Sequence, residues 1–284
     1  MLLWALLLAA QAAAPDIVVT GEKPRRELSA QIRAVTQDVD GRLPRFRNPV
    51  CPVVAGLPEA YGEAVVERVR ARALEAGGKV APRPCEADIF IVVTAEPRAA
   101  LDRLRRDPRG YFSLLSNADV DRLVADGGPV WGFRTSVPRR ADGGRVQPVA
   151  VWEMPGMTPQ AKRAGRGAYK VDNARLSRLS EAVRRDADQA WLVVDAGALV
   201  GRSLGQIGDY AAMTTLAPID TAKGGAMPFA SILSLFETPP AEAEAGATAE
   251  DLAFLARLYG SRDGLSERQA ARRLADSVRA AGDD

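Results

Sequence analysis

Two short runs constrain this chain most: DIFIVVT at residues 88–94 and WLVVD at residues 191–195. Each is apolar almost without interruption and dense in β-branched or aromatic side chains, yet too short for a buried helix, so both read as buried strands. Between and around them lie segments with apolar residues at helical spacing. The alternation predicts an α+β fold, with one mixed or mostly antiparallel sheet packed with helices and a helical C-terminal third. At 284 residues and 47% hydrophobic content the chain is long enough to bury a sizeable core. No tract recurs at a fixed period, which excludes solenoid architectures.

The helical pattern appears first at residues 27–39, where Leu28, Ile32, Val35 and Val39 share a face before the Gly41 to Pro44 break. A short extended segment is expected at residues 49–54. Pro58 then opens a helix whose apolar side reads as Tyr61, Val65, Val66, Val69 and Leu74, stopped by Gly77 and Gly78. Helices are expected at residues 98–106 and 117–126, and a strand at 130–137. Residues 138–170, rich in Gly, Pro and basic side chains around the island VAVWEM, read as a long surface excursion or extended hairpin. Residues 176–186 fit helix or strand equally. Further helices are expected at 203–216, ended by Pro218; at 229–236; at 249–259, with Leu252, Leu255 and Leu258 inward; and from Ser266 onward. Thr248 and Asp251 stand at capping-box spacing before the third of these.

The N-terminus is a separate matter. MLLWALLLAA followed by QAAA has the form of a secretory signal peptide, with Ala10, Gln11 and Ala12 as the recognition triplet. Ten apolar residues fall short of the roughly 20 that span a bilayer. The organisation expected is a signal peptide at 1–12, a flexible segment at 13–27 and a single α+β domain at 28–284. The compartment expected is the periplasm or the exterior. There, Cys51 and Cys85, the chain's two cysteines, form a disulfide.

Charge and composition exclude several functions. The 38 basic and 36 acidic side chains are interspersed, so no concentrated basic face for nucleic acid is expected. Histidine is absent, which rules out Ser-His-Asp and Cys-His nucleophile systems and His-based zinc hydrolysis. No phosphate-binding glycine loop or S-x-x-K motif stands in its required setting. No cofactor and no metal are expected. The candidate catalytic carboxylates are Asp195, at the end of a buried strand, and Asp209, on an otherwise apolar helix. A local capping role for the first and a solvated or capping role for the second compete with catalysis. Glu153 with Asp172 is a further pair for a carboxylate hydrolase. Trp131, Trp152 and Trp191 read as core or sheet-face residues.

Two resemblances add to this. The strand WLVVDA, a Gly-containing turn, the helix LGQIGDYAAMTTLA and the later DLAFLARLYG resemble a group of uncharacterised exported bacterial proteins. The strand-then-helix layout is similar to the zincin metalloprotease core, whose active-site helix carries H-E-x-x-H. Laid on that motif, Asp209 falls at the first ligand, Tyr210 at the catalytic Glu and Met213 at the second ligand, so every catalytic position departs. The resemblance implies a zincin-like scaffold that has lost its metal, with a binding or scaffolding role. At the other end, PDIVVT, containing Ile17, Val18, Val19 and Thr20, resembles the TonB box of outer-membrane transporters. That resemblance implies β-augmentation of an envelope protein partner.

Overall fold

Strand β1 (Pro52–Ala55) is followed by helix α2 (Glu59–Glu75) and then by strand β2 (Ile89–Thr94), and this crossover makes the two strands parallel neighbours. Helix α1 (Arg25–Val35) precedes them. After β2 come α3 (Pro97–Arg106), α4 (Asn117–Ala125) and the long strand β3 (Val130–Arg140). The short strands β4 (Gln147–Val149) and β5 (Ala168–Lys170) pair with each other as a separate antiparallel ribbon. Strand β6 (Val183–Asp195) returns to the main sheet, and α5 (Leu204–Leu216), α6 (Ala249–Gly260) and α7 (Glu267–Gly282) complete the chain. The computed structural model describes residues 25–39, 41–125, 127–140, 142–149, 168–170, 183–261 and 266–282. The leader, the Ile17 to Thr20 stretch, Trp152, Glu153 and Asp172 lie outside them.

The main sheet runs β1-β2-β6-β3. Strand β6 is parallel to β2, with Ile89 opposite Ala190 and Thr94 opposite Asp195, and antiparallel to β3, with Val130 opposite Val194. The sheet is therefore mixed, as expected for the α+β class.

Both faces of the two central strands are covered, which is why their sequences run apolar instead of alternating. On one face Ile89, Ile91 and Val93 of β2 and Ala190, Leu192 and Val194 of β6 join a large core built with α1, α2, α5, α6 and α7. On the other, Trp131, Phe133, Trp191 and Val193 pack against Leu101, Phe112 and Val120 from α3, α4 and the turn between them. Trp191 stacks on Phe90 at 4.1 Å between ring centroids and on Phe133 at 5.8 Å. Both described tryptophans of the sheet are core residues.

Several elements differ from the expectation, each for an identifiable reason. Helix α1 stops at Val35 because Thr36 bridges Ile219 and the Gln37 N–H donates to Pro218 O at 2.7 Å, which draws the chain into extended pairing. On α2 the buried stripe is Gly62, Val65, Val66, Val69 and Ala73, while Tyr61 and Leu74 are 54% and 59% exposed. Hydropathy favours the large side chains, but the inward face is set by position and carries the small Gly62 and Ala73, with Gly62 lying against the Val54 side chain. The helix expected at 229–236 is only a tight turn at Ile232–Ser234. The buried Asp251 carboxylate holds it there, accepting from Ser231 Oγ at 2.5 Å and Ile232 N at 2.8 Å. On α6, Phe254 takes the fully buried place and Leu252 is half-buried. The capping boxes at Ser203 with Gln206 and at Thr248 with Asp251 are both formed.

Cys51 and Cys85 are joined, with Cα atoms 6.1 Å apart. The bond ties the approach to β1 to the approach to β2. Asp88 reinforces the same junction by accepting the Cys51 N–H at 2.7 Å, and burial pushes its carboxyl up to about 6.

Candidate functional site

Helix α5 is buried on every side from Gln206 to Leu216, so its polar residues must find partners inside the protein. Asp209 is fully buried, neither solvated nor a cap. Its carboxylate accepts Arg68 Nε at 2.7 Å and Nη2 at 2.8 Å, Arg72 Nε at 2.7 Å and Nη2 at 3.3 Å, and the Ala247 N–H at 2.9 Å. The two arginines stand one turn apart on α2. They reach Asp209 because Gly208 lets the helices touch: a Cβ there would come 2.6 Å from the Arg68 Cβ. Burial alone would raise the Asp209 carboxyl, but the hydrogen bonds from Arg68, Arg72 and Ala247 outweigh it and hold the group at about 2.

The residues that the zincin resemblance sets beside Asp209 are buried as well. Tyr210 is buried with its ring edge-on to Phe236 at 4.7 Å, and burial pushes its phenol above the ordinary range. Met213 and Leu216 are wholly inside the core. Asp195 ends β6 and accepts the Gly197 N–H at 2.8 Å, capping the turn Ala196–Leu199. The structure thus places Asp209 in an ion cluster between helices and Asp195 at a turn.

A cleft of about 440 Å³ opens instead along the free edge of β3. Its walls are the segment after α1 (residues 36–39), α4 with Leu115 ahead of it, and the segment after α5 (residues 220–223). That last segment is drawn to the sheet because the Gly132 N–H donates to Thr221 Oγ1 at 2.8 Å. Gly132 is required there, since a Cβ would fall 2.4 Å from the Thr221 methyl carbon. The Asp220 N–H donates to Val35 O at 2.9 Å and closes the corner.

Arg134 of β3 lines the cleft and is 7% exposed. The reason for a buried cation here lies in α5. Thr214 O would ordinarily accept from the amide four residues on, but that residue is Pro218, which has none. Arg134 Nη2 takes the place of the missing donor at 2.6 Å, with its charge at the negative end of the helix. Tyr259 OH likewise donates to Leu216 O at 3.1 Å. Arg134 Nη1 is buried and makes no hydrogen bond. Burial lowers the guanidinium to about 10, with only Tyr259 acting on its charge in the other direction.

The remaining charges of the cleft are accounted for. Arg122 pairs with Asp119, which also accepts from Ser116 Oγ at 2.6 Å. Lys223 pairs with Asp220 at 3.1 Å, and Asp38 accepts the Gly41 N–H at 2.8 Å.

Sequence reasoning missed Arg134, Arg68 and Arg72. A signal for the first was present: a lone arginine inside the apolar strand VWGFRTSV is the kind of buried charge that demands a partner or a purpose. Arg68 and Arg72 share a helix face at i, i+4 spacing, but nothing local pointed to an acid far along the chain. A scan against family models and searches of curated proteins and solved structures find no match to this chain.

Proposed function

We propose that this chain is an exported protein, periplasmic or secreted, that acts by binding a ligand in the β3 cleft on a scaffold whose zincin-like helix carries no metal. The observation that carries this reading is the cleft itself: it has the volume of a small-molecule site and holds a buried cation with a donor left over. Export is supported by the apolar leader with its small-residue cleavage pattern and by the disulfide, a bond that persists in oxidising compartments. A binding role is supported by the structural work of the two carboxylates that sequence singled out, Asp209 in the ion cluster and Asp195 at the turn. No helix among the described residues is long and apolar enough to cross a membrane.

The test is native mass spectrometry of the protein recovered from its own envelope fraction. A small molecule that leaves on denaturation supports the reading. Protein that carries no such molecule, or that is found only in the cytoplasm with both thiols free, refutes it.

A further inference from the structure

We infer that the β3 cleft takes a small organic anion, a carboxylate or a phosphate ester, whose charged group pairs with Arg134. This rests on the reading of the chain as a binding protein and names the class of ligand it holds. Of the three cations lining the cleft, Arg122 and Lys223 each have an acid in contact. Arg134, the most deeply buried of the three, has none: its hydrogen bond is to the Thr214 carbonyl, and Nη1 meets no acceptor.

A buried donor without an acceptor forgoes its hydration with nothing in return, and a buried cation without a counter-charge more so. Helix capping explains Nη2 only. A neutral donor at the same place would also serve the Thr214 carbonyl; the guanidinium's charge meets only the partial charge at the C-terminal end of α5, and an anion in the cleft would give it a full counter-charge. A carboxylate or phosphate oxygen supplies both missing elements, the acceptor for Nη1 and the opposite charge.

Nη1 is covered from water, so the ligand oxygen reaches it by displacing part of the rim. The rim segment at residues 220–223 is held to its surroundings by the Gly132 N–H bond to Thr221 Oγ1 and the Asp220 N–H bond to Val35 O, while Ala222 and Lys223 are exposed, so rim displacement there costs at least the first of these bonds. The volume leaves room for a body of metabolite size behind the charged group.

The experiment is isothermal titration of the folded protein with inorganic phosphate, succinate and glucose 6-phosphate, with glucose and choline as uncharged and cationic comparisons. The Arg134 guanidinium NMR resonance is followed in parallel. At least one anion is expected to bind and to shift that resonance, and Arg134→Gln is expected to weaken it at least tenfold. Because a buried substitution can impair folding, Ala222→Trp at the exposed rim serves as a second variant. It should block the same anion while circular dichroism and Tm stay as in the parent. Equal anion binding by parent and both variants, or a silent Arg134 resonance at saturation, overturns the inference. Binding of glucose or choline with all three anions inert also overturns it, yet leaves the binding role standing. A protein that carries no native ligand and takes none of the five probes removes both.

Discussion

Replacing Asp209 tests how helices α2 and α5 are held together. Its carboxylate is the sole acceptor shared by Arg68 and Arg72, and it also takes the Ala247 N–H from the loop before α6. Asp209→Ala leaves Arg72, whose side chain is 12% exposed, with Glu75 as its remaining partner, while Arg68, at 41%, turns into water at little cost. Leaving one nearly buried guanidinium with only a half-exposed partner costs about 3 kcal/mol, the low end for a broken buried pair, and the orphaned amide adds about 1 kcal/mol. The expected loss is therefore about 4 kcal/mol in urea unfolding at pH 7 followed by far-ultraviolet circular dichroism. Arg72→Ala should cost more than Arg68→Ala for the same reason of exposure.

The acid limb provides a second reading of the same group. The folded carboxyl sits at about 2, below its ordinary 3.8, so its contribution is complete above pH 4 and is lost as pH falls through 2. At about 1.36 kcal/mol per pH unit the contribution is about 2.4 kcal/mol. Asp209→Asn should flatten that limb. A loss under about 1 kcal/mol for Asp209→Ala, or an unchanged acid limb in Asp209→Asn, would refute the assignment of this cluster as the clasp between α2 and α5.

Four further outcomes are expected. Reducing the Cys51–Cys85 bond, which closes a separation of 34 residues, should lower stability by about 4 kcal/mol, read from the urea midpoint with and without reductant. Asp88 titrates at about 6 when folded, above its ordinary value, so the wild type should lose stability as pH rises from 4 to 6. Asp88→Asn, which keeps an acceptor for the Cys51 amide, should remove that slope and be more stable above pH 6 by about 1 to 2 kcal/mol, the full shift being discounted for the carboxyl's partial exposure; an unchanged slope would count against it. Gly208→Ala should destabilise by at least about 2 kcal/mol by forcing α5 from α2, and a neutral result in thermal unfolding would deny the close approach. Deleting residues 13–24, which stops short of α1, should abolish capture of an envelope partner by the otherwise intact protein, and unchanged capture would remove the docking role of the Ile17 to Thr20 stretch.

The central strands were legible because their apolar runs are a direct imprint of burial on both faces, and the cysteine pair because two lone thiols in a chain without histidine have few uses other than each other. Capping residues were legible for the same local reason: Ser203 and Thr248 act within three residues of themselves. What escaped was non-local or small. Gly62 and Ala73 line the inner face of α2 without registering as hydrophobic, so Tyr61 and Leu74 stood in for them. Asp209 read as solvated because its partners lie 137 and 141 residues away. The turn at Ile232–Ser234 has helical composition but is commandeered by Asp251 from a later helix. Arg134 combines both difficulties, since its role depends on a proline in a different element.

The pairing of β3 with β6 continues to Arg140 opposite Val183, so those two residues mark one end of a single antiparallel ribbon. In genetic terms this is a socket. Chain can be lost, gained or exchanged there while the junction residues stay in register, because closing a longer loop adds only slowly to the entropic cost. A change of length there is expected to leave the disulfide and the α2–α5 clasp as they are, since neither draws on residues between Arg140 and Val183.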